Sequence, residues 1–131
     1  MRFQIDPRAP SPPSEQLADQ VRFAVASGRL APGDRLPSVR ALAEEIRLNP
    51  NTVGRAWRDL EREGVLESRR GDGMFVASGA LKGCRAAAEA LVRERVARAV
   101  AEALGAGMPI ERVFEIVRNG FAGEKGRSKA S

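Results

Sequence analysis

Between residues 38 and 64 this chain can adopt few folds. Ser38 can cap a helix that runs to about residue 47, with Val39, Leu42, Ala43 and Ile46 at the i, i+3, i+4, i+7 spacing of one buried face. A break of about three residues follows. Asn49 then offers a side-chain acceptor to a second helix start, and Pro50, which has no N–H to satisfy, suits the first helical position. This helix is expected to run to about residue 63, with Val53, Ala56, Trp57 and Leu60 on its buried side and Gly64 as its stop. Two short helices joined this tightly, the second so sharply started, form the helix-turn-helix pattern.

The flanking segments extend the pattern. Phe3, Gln4 and Ile5 read as a short extended segment ahead of a proline-rich lead-in. Ser14 can cap a first helix to about residue 27, with Leu17, Ala18, Val21, Ala24 and Val25 inward. Residues 28–37 hold two glycines and two prolines, which fix the path of a connector. After Gly64, apolar runs at 65–68 and 74–76 enclose Arg69, Arg70, Gly71, Asp72 and Gly73, the signature of a hairpin with a glycine turn. A hairpin directly after the second helix of the motif is a wing. An alanine-rich helix over 81–104 follows, with Leu81, Cys84, Ala88, Leu91, Val92, Val96, Ala99 and Ala103 near one side. A last helix over 110–121 carries the stripe Ile110, Val113, Phe114, Val117, Phe121. The expected fold is mainly α with a small β-hairpin. It comprises a winged helix-turn-helix domain over 1–78, a two-helix dimerisation extension over 79–121 and a disordered basic tail over 122–131, where Lys125, Arg127 and Lys129 have nearly nothing apolar beside them.

Composition narrows the chemistry. A single cysteine, Cys84, rules out an internal disulfide and suits a reducing cytoplasm. With no histidine, a zinc site or a histidine-based triad has no ligands, and no paired-carboxylate or phosphate-loop constellation suggests an enzyme or a cofactor. Neither a signal peptide nor an apolar run of membrane-spanning length is present, so a cytoplasmic protein with no membrane partner is expected. The net charge is +5, but residues 38–76 hold seven basic and seven acidic side chains, and the excess falls mainly after them. Attraction to an anionic partner therefore has to come from where the arginines sit.

Their placement suits duplex DNA. A helix lying in the major groove reads base edges with the side chains at its N-terminal end, here Asn51, Thr52 and Arg55. Asparagine can bond adenine in bidentate fashion, arginine can do so to guanine, and threonine offers a hydroxyl or methyl contact. Ser38 and Arg40, at the start of the preceding helix, and Arg58, one turn beyond Arg55, would hold phosphates. Arg69 and Arg70 at the wing tip would do the same, with Gly71 allowing close approach of the backbone to the minor groove. Taken singly, Arg40 and Arg58 serve equally well as partners of Glu44 and of the acids around Asp59, and Arg62 reads as a surface ion pair. Trp57 reads as core. The rival from another class, a winged helix used only to bind proteins, leaves the joint placement of Asn51, Thr52, Arg55, Arg69 and Arg70 without a reason.

The chain resembles the GntR family of regulators, in its short YtrA-type branch. The residues that carry the resemblance are Phe3-Gln4-Ile5-Asp6, the run from Ala26 through Gly28-Arg29-Leu30-Ala31-Pro32-Gly33-Asp34-Arg35-Leu36-Pro37-Ser38 to Ala43, then Asn49-Pro50-Asn51-Thr52-Val53, Leu60-Glu61-Arg62-Glu63-Gly64 and Arg70-Gly71-Asp72-Gly73-Met74-Phe75-Val76. The resemblance implies a bacterial repressor that binds a palindromic DNA operator as a homodimer, the winged domain reading DNA and the C-terminal helices pairing subunits. It also implies control of a transporter operon, commonly of the ABC type, or of its own operon. Three positions depart from the wider family pattern. Met74 replaces the usual threonine after the wing turn, and Ser14 stands in place of a tyrosine. Gly54 occupies a position that is often arginine in larger members, with Arg55 one place on. The roughly fifty residues after the wing are too few to enclose a pocket within one chain. A small-molecule effector site would have to form between subunits, and no residue names its ligand.

Overall fold

The computed structural model describes the backbone of residues 1–130 and the side chains of residues 1–123. The element order is α1 (Pro13–Ala26), α2 (Val39–Ile46), α3 (Pro50–Arg62), β1 (Leu66–Arg69), β2 (Gly73–Val76), α4 (Ala80–Gly105) and α5 (Ile110–Ala130). Mainly helical with one two-stranded hairpin, this is the winged helix-turn-helix that the sequence implied. The chain forms two compact units, Met1–Ala90 and Leu91–Ser131.

Helix α1 buries the five residues its spacing selects, Leu17, Ala18, Val21, Ala24 and Val25. Its start differs from expectation. Pro12 is the N-cap and Pro13 the first helical residue, so Ser14 lies inside the helix and no side chain caps it. Pro13 supplies a helical φ without needing a bond for a missing N–H, which lets the helix begin one residue before the serine. The extended segment ahead of α1 is pinned by two side-chain amides of that helix. The Gln4 amide donates to Gln20 Oε1 (3.0 Å) and the Gln20 amide donates back to Gln4 O (2.6 Å). Gln16 brackets Asp6 in the same way, accepting from its N–H at 2.9 Å and donating to its carbonyl at 3.0 Å. This clamp carries Phe3 into the core, its ring 5.8 Å from that of Trp57.

Helix α2 is capped by Ser38, whose Oγ accepts from Ala41 N at 3.1 Å, and it ends on Arg47 in the left-handed region, φ 56°. A non-glycine residue there is uncommon. It reverses the chain so that Leu48 N donates back to Ala43 O (3.0 Å) and α3 can start two residues later. Asn49 caps α3 through its Oδ1, which accepts from Asn51 N at 2.8 Å, with Pro50 following as expected. Trp57, Leu60, Val53 and Ala56 are buried, and the indole N–H of Trp57 donates to Pro37 O at 3.1 Å, tying α3 to the connector.

The wing pairs Leu66 with Val76 and Arg69 with Gly73; β1 lies one residue later than expected at both ends, and β2 begins one residue earlier. The connector before α2 adds a third, irregular strand that the sequence reading had not foreseen. Gly33 N donates to Val76 O, Val76 N to Asp34 O and Leu36 N to Met74 O, each at 2.8 Å. These bonds cover the open edge of β2, which would otherwise expose unpaired amides.

One core unites α1, α2, α3, both strands and the first turns of α4, where Ala80 and Cys84 are buried. The sequence boundary at 78/79 therefore falls short of the first unit, whose core needs Cys84 to close. Burying each of the large side chains Leu17, Leu42, Leu60 and Leu66 contributes roughly 1.5–3 kcal/mol. In the second unit none of residues 91–123 is buried. Of the face expected on α4, only Cys84 is buried. The stripe of α5 lies open, with Phe114 at 56% and Phe121 at 63% of their full exposure. No proline stops α5, and its backbone continues as helix past the expected end at Phe121 to Ala130. The side chains Lys125, Arg127 and Lys129 of the expected basic tail lie outside the described residues. Among the described residues no helix is long and apolar enough to cross a membrane.

Candidate nucleic-acid interface

All nine residues marked out by the sequence are accessible, Thr52 partly and Ser38, Arg40, Asn51, Arg55, Arg58, Arg69, Arg70 and Gly71 fully. The structure brings four of them together. Asn51, Thr52, Arg55 and Arg58 form one side of an open groove whose other side is residues 12–14, at the start of α1. Arg55 also reaches a second depression with Ser14, Glu15, Arg22 and Asp59. The start of α1 is thus a neighbour of the exposed N-terminal side of α3, a proximity that no local sequence signal reveals. Pro12 and Pro13 bring no N–H there, and the first turn carries the acid Glu15.

Ser38 and Arg40 stand at the first turn of α2. The Ser38 Oγ accepts its cap bond through a lone pair, so this hydroxyl orients the helix while its proton is left to donate to a phosphate oxygen. Val39 lies against α3 at the level of Gly54, which fixes the start of α2 beside the reading helix.

Four of the seven acids between residues 38 and 76 have a side-chain partner. Asp59 accepts from Arg62 at 2.6 Å, Glu61 from the Ser68 hydroxyl at 2.9 Å, and Glu67 lies 3.5 Å from Arg69. Glu63 accepts from Arg22 on α1, which also binds Asp19 at 2.8 Å. Burial works against the charge of Arg22, but its bonds to Glu63 and Asp19 outweigh it and hold the guanidinium pKa above the usual value. Arg40, Arg55, Arg58 and Arg70 make no ion pair with any described residue. Arg47, Glu44, Glu45 and Asp72 of this segment likewise form no ion pair among the described residues, so what sets Arg40, Arg55, Arg58 and Arg70 apart is their place at the start of α2, along the exposed side of α3 and at the wing tip. Arg62 is the surface ion pair its position suggested.

The wing separates its two arginines. Asp72 N donates to Arg69 O at 2.8 Å across a turn whose third residue, Gly71, has φ 81°, the conformation that a type II turn requires. Arg70 is at the apex. Arg69 has a structural role that the sequence reading missed, because its guanidinium stacks 4.1 Å over the Phe75 ring while facing Glu67. Arg35 was also missed. Its bridge to Phe75 places it on β2, and its guanidinium nitrogens lie 3.4 and 3.5 Å from where a Cβ on Gly73 would stand. Only the third strand, formed by distant residues, brings it to the wing.

Residues 13–76 match the family described as "Bacterial regulatory proteins, gntR family". The chain is 37% identical over 127 residues to the HTH-type transcriptional repressor YtrA of Bacillus subtilis, covering 97% of this chain and 98% of that protein. Its fold is similar to that of YtrA from Sulfolobus acidocaldarius, described as a GntR-family transcription factor, with a TM-score of 0.56, 33% identity and coverage of 75% of this chain and 96% of that one. It is also similar to the DNA-binding domain of AraR solved with operator ORX1, with a TM-score of 0.50, 25% identity and coverage of 57% of this chain and 93% of that one. The order of elements, the wing and a full-length relative agree: this chain belongs to the GntR family of bacterial transcription regulators, in its short YtrA-type branch.

Proposed function

We propose that this DNA-binding regulator is a repressor that grips a two-fold operator as a homodimer, with α3 in the major groove. The observation that carries the reading is the placement of the exposed arginines Arg40, Arg55, Arg58 and Arg70, none of them in an ion pair, at the start of α2, along the groove side of α3 and at the wing tip. In this reading Asn51, Thr52 and Arg55 meet base edges, while Ser38, Arg40 and the wing residues Arg69, Arg70 and Gly71 hold phosphates. The solved complex of AraR with its operator and the repressor named YtrA support it by likeness. A dimer is favoured by the open stripe of α5, because Phe114, Val117 and Phe121 gain by leaving water. Two-fold symmetry would then repeat the half-site about one helical turn, or a small multiple, away. Control of a transporter operon or of its own operon is the genetic setting proposed.

Selection of bound duplexes from a random pool tests this directly. Arg55→Ala is expected to relax the preference at one base position of each half-site, a discrimination of roughly 1–3 kcal/mol. Arg40→Ala is expected to weaken binding to all sequences and to reduce the salt slope by about 1. If both variants bind the selected site as the wild type does, the docking is wrong.

A further inference from the structure

Gly54 lies inside α3, and it is buried although the next residue, Arg55, lines the groove. What buries it is unusual. A Cβ at this position would stand 3.1 Å from Arg58 Nη1 and 3.9 Å from Val39 Cγ1. The Arg58 side chain therefore runs back along the helix and lays its guanidinium over the bare backbone of the residue four places earlier. Side chains on a helix tilt toward its N-terminus, and positions i and i+4 share a face, so this is the path a long side chain takes when nothing blocks it. Arg58 forms no ion pair with any described residue, so no acid draws it there.

The geometry points to Gly54 and Arg58 acting as one base-reading unit, with Gly54 a positioning residue and Arg58 a specificity-determining one. Residue 58 is too far along α3 to belong to the end that reads bases. Folding back over four residues moves its guanidinium about 6 Å toward the helix start. That brings it level with Gly54 and onto the groove face it shares with Asn51, Thr52 and Arg55. There its planar fork suits the O6 and N7 of guanine. Glycine in a helix interior is less stable than alanine, and the absence of a side chain at 54 is what opens the path. The sequence assigned Arg58 a phosphate, and the backbone beneath it assigns it a base. This inference rests on α3 being the reading helix.

The test is random-pool selection with the full chain and five variants, Arg58→Ala, Arg58→Lys, Gly54→Ala, Gly54→Leu and Arg55→Ala, with thermal unfolding measured on each. Arg58→Ala is expected to abolish preference for guanine at one position per half-site, by roughly tenfold or more. Arg58→Lys does not restore it, since an ammonium lacks the fork. Gly54→Leu should lose the same position with Arg58 still present. Gly54→Ala should lose it in part while raising the unfolding temperature, so a folding defect cannot explain the change. If Gly54→Leu does not fold, the Gly54→Ala profile decides. The inference is overturned if Arg58→Ala weakens all sequences evenly, or if the folded variants at 54 keep the wild-type preference. In that case a relaxed position in Arg55→Ala leaves α3 as the reading helix. An unchanged profile there as well removes both.

Discussion

The units Met1–Ala90 and Leu91–Ser131 treat their apolar side chains in opposite ways. In the first, Leu17, Leu42, Val53, Trp57, Leu60 and Leu66 are nearly fully removed from solvent, and their polar neighbours are hydrogen-bonded or exposed. In the second, Val92, Val96, Leu104, Phe114, Val117 and Phe121 remain about half exposed. The hydrophobic effect acts on both, so the difference lies in how many elements surround each apolar face. Three helices and a hairpin close around the first. The second has parts of two helices, too few to enclose a core within one chain. Open apolar stripes of this kind are characteristic of interaction surfaces.

Substitutions can break or sharpen that contrast. The largest expected effect is Trp57→Ala, which removes a buried ring, its contact with Phe3 and its bond to Pro37 O. Chemical denaturation should show a loss of about 3–5 kcal/mol. Phe114→Asp alters an aromatic residue in the second unit, yet should leave the unfolding of the first unit unchanged. Its effect should appear in sedimentation, as monomer at micromolar concentration, and in operator affinity, as a loss of about 10²-fold or more once the two half-sites are no longer linked. A monomeric wild type would end the comparison, because the stripe would then have no partner subunit. The smallest expected effect is Arg62→Ala. It breaks an exposed ion pair with Asp59, so stability should change by less than about 0.5 kcal/mol and the selected DNA sequence not at all.

Much of the reading half was legible in advance because its signals are local. A cap depends on residues within a turn of each other, as Ser38 with Ala41 and Asn49 with Asn51 show, and amphipathic spacing depends on residues within two turns. The five buried positions of α1 followed from spacing alone. Ser14 misled because two signals, a serine cap and a proline at the first helical position, competed one residue apart. The bounds of the two wing strands were foreseen to within a residue, since the glycine turn lies between them.

What the sequence by itself determined is the list and order of elements, the core face of each of the first three helices, and the residue types at the reading end of α3. Tertiary structure decided the pairing of Arg22, which Glu63 neutralises from 41 residues away, whereas Arg62 and Arg69 meet acids only three and two residues from them in sequence. It also decided that Arg35 reaches the wing, through a third strand made by residues 33–36, and that the guanidinium of Arg58 rests over Gly54. The physical reason is one of range. Dihedral preference, capping and amphipathic spacing act within a few residues, whereas ion pairing and steric room act through space and exist only once the chain has folded.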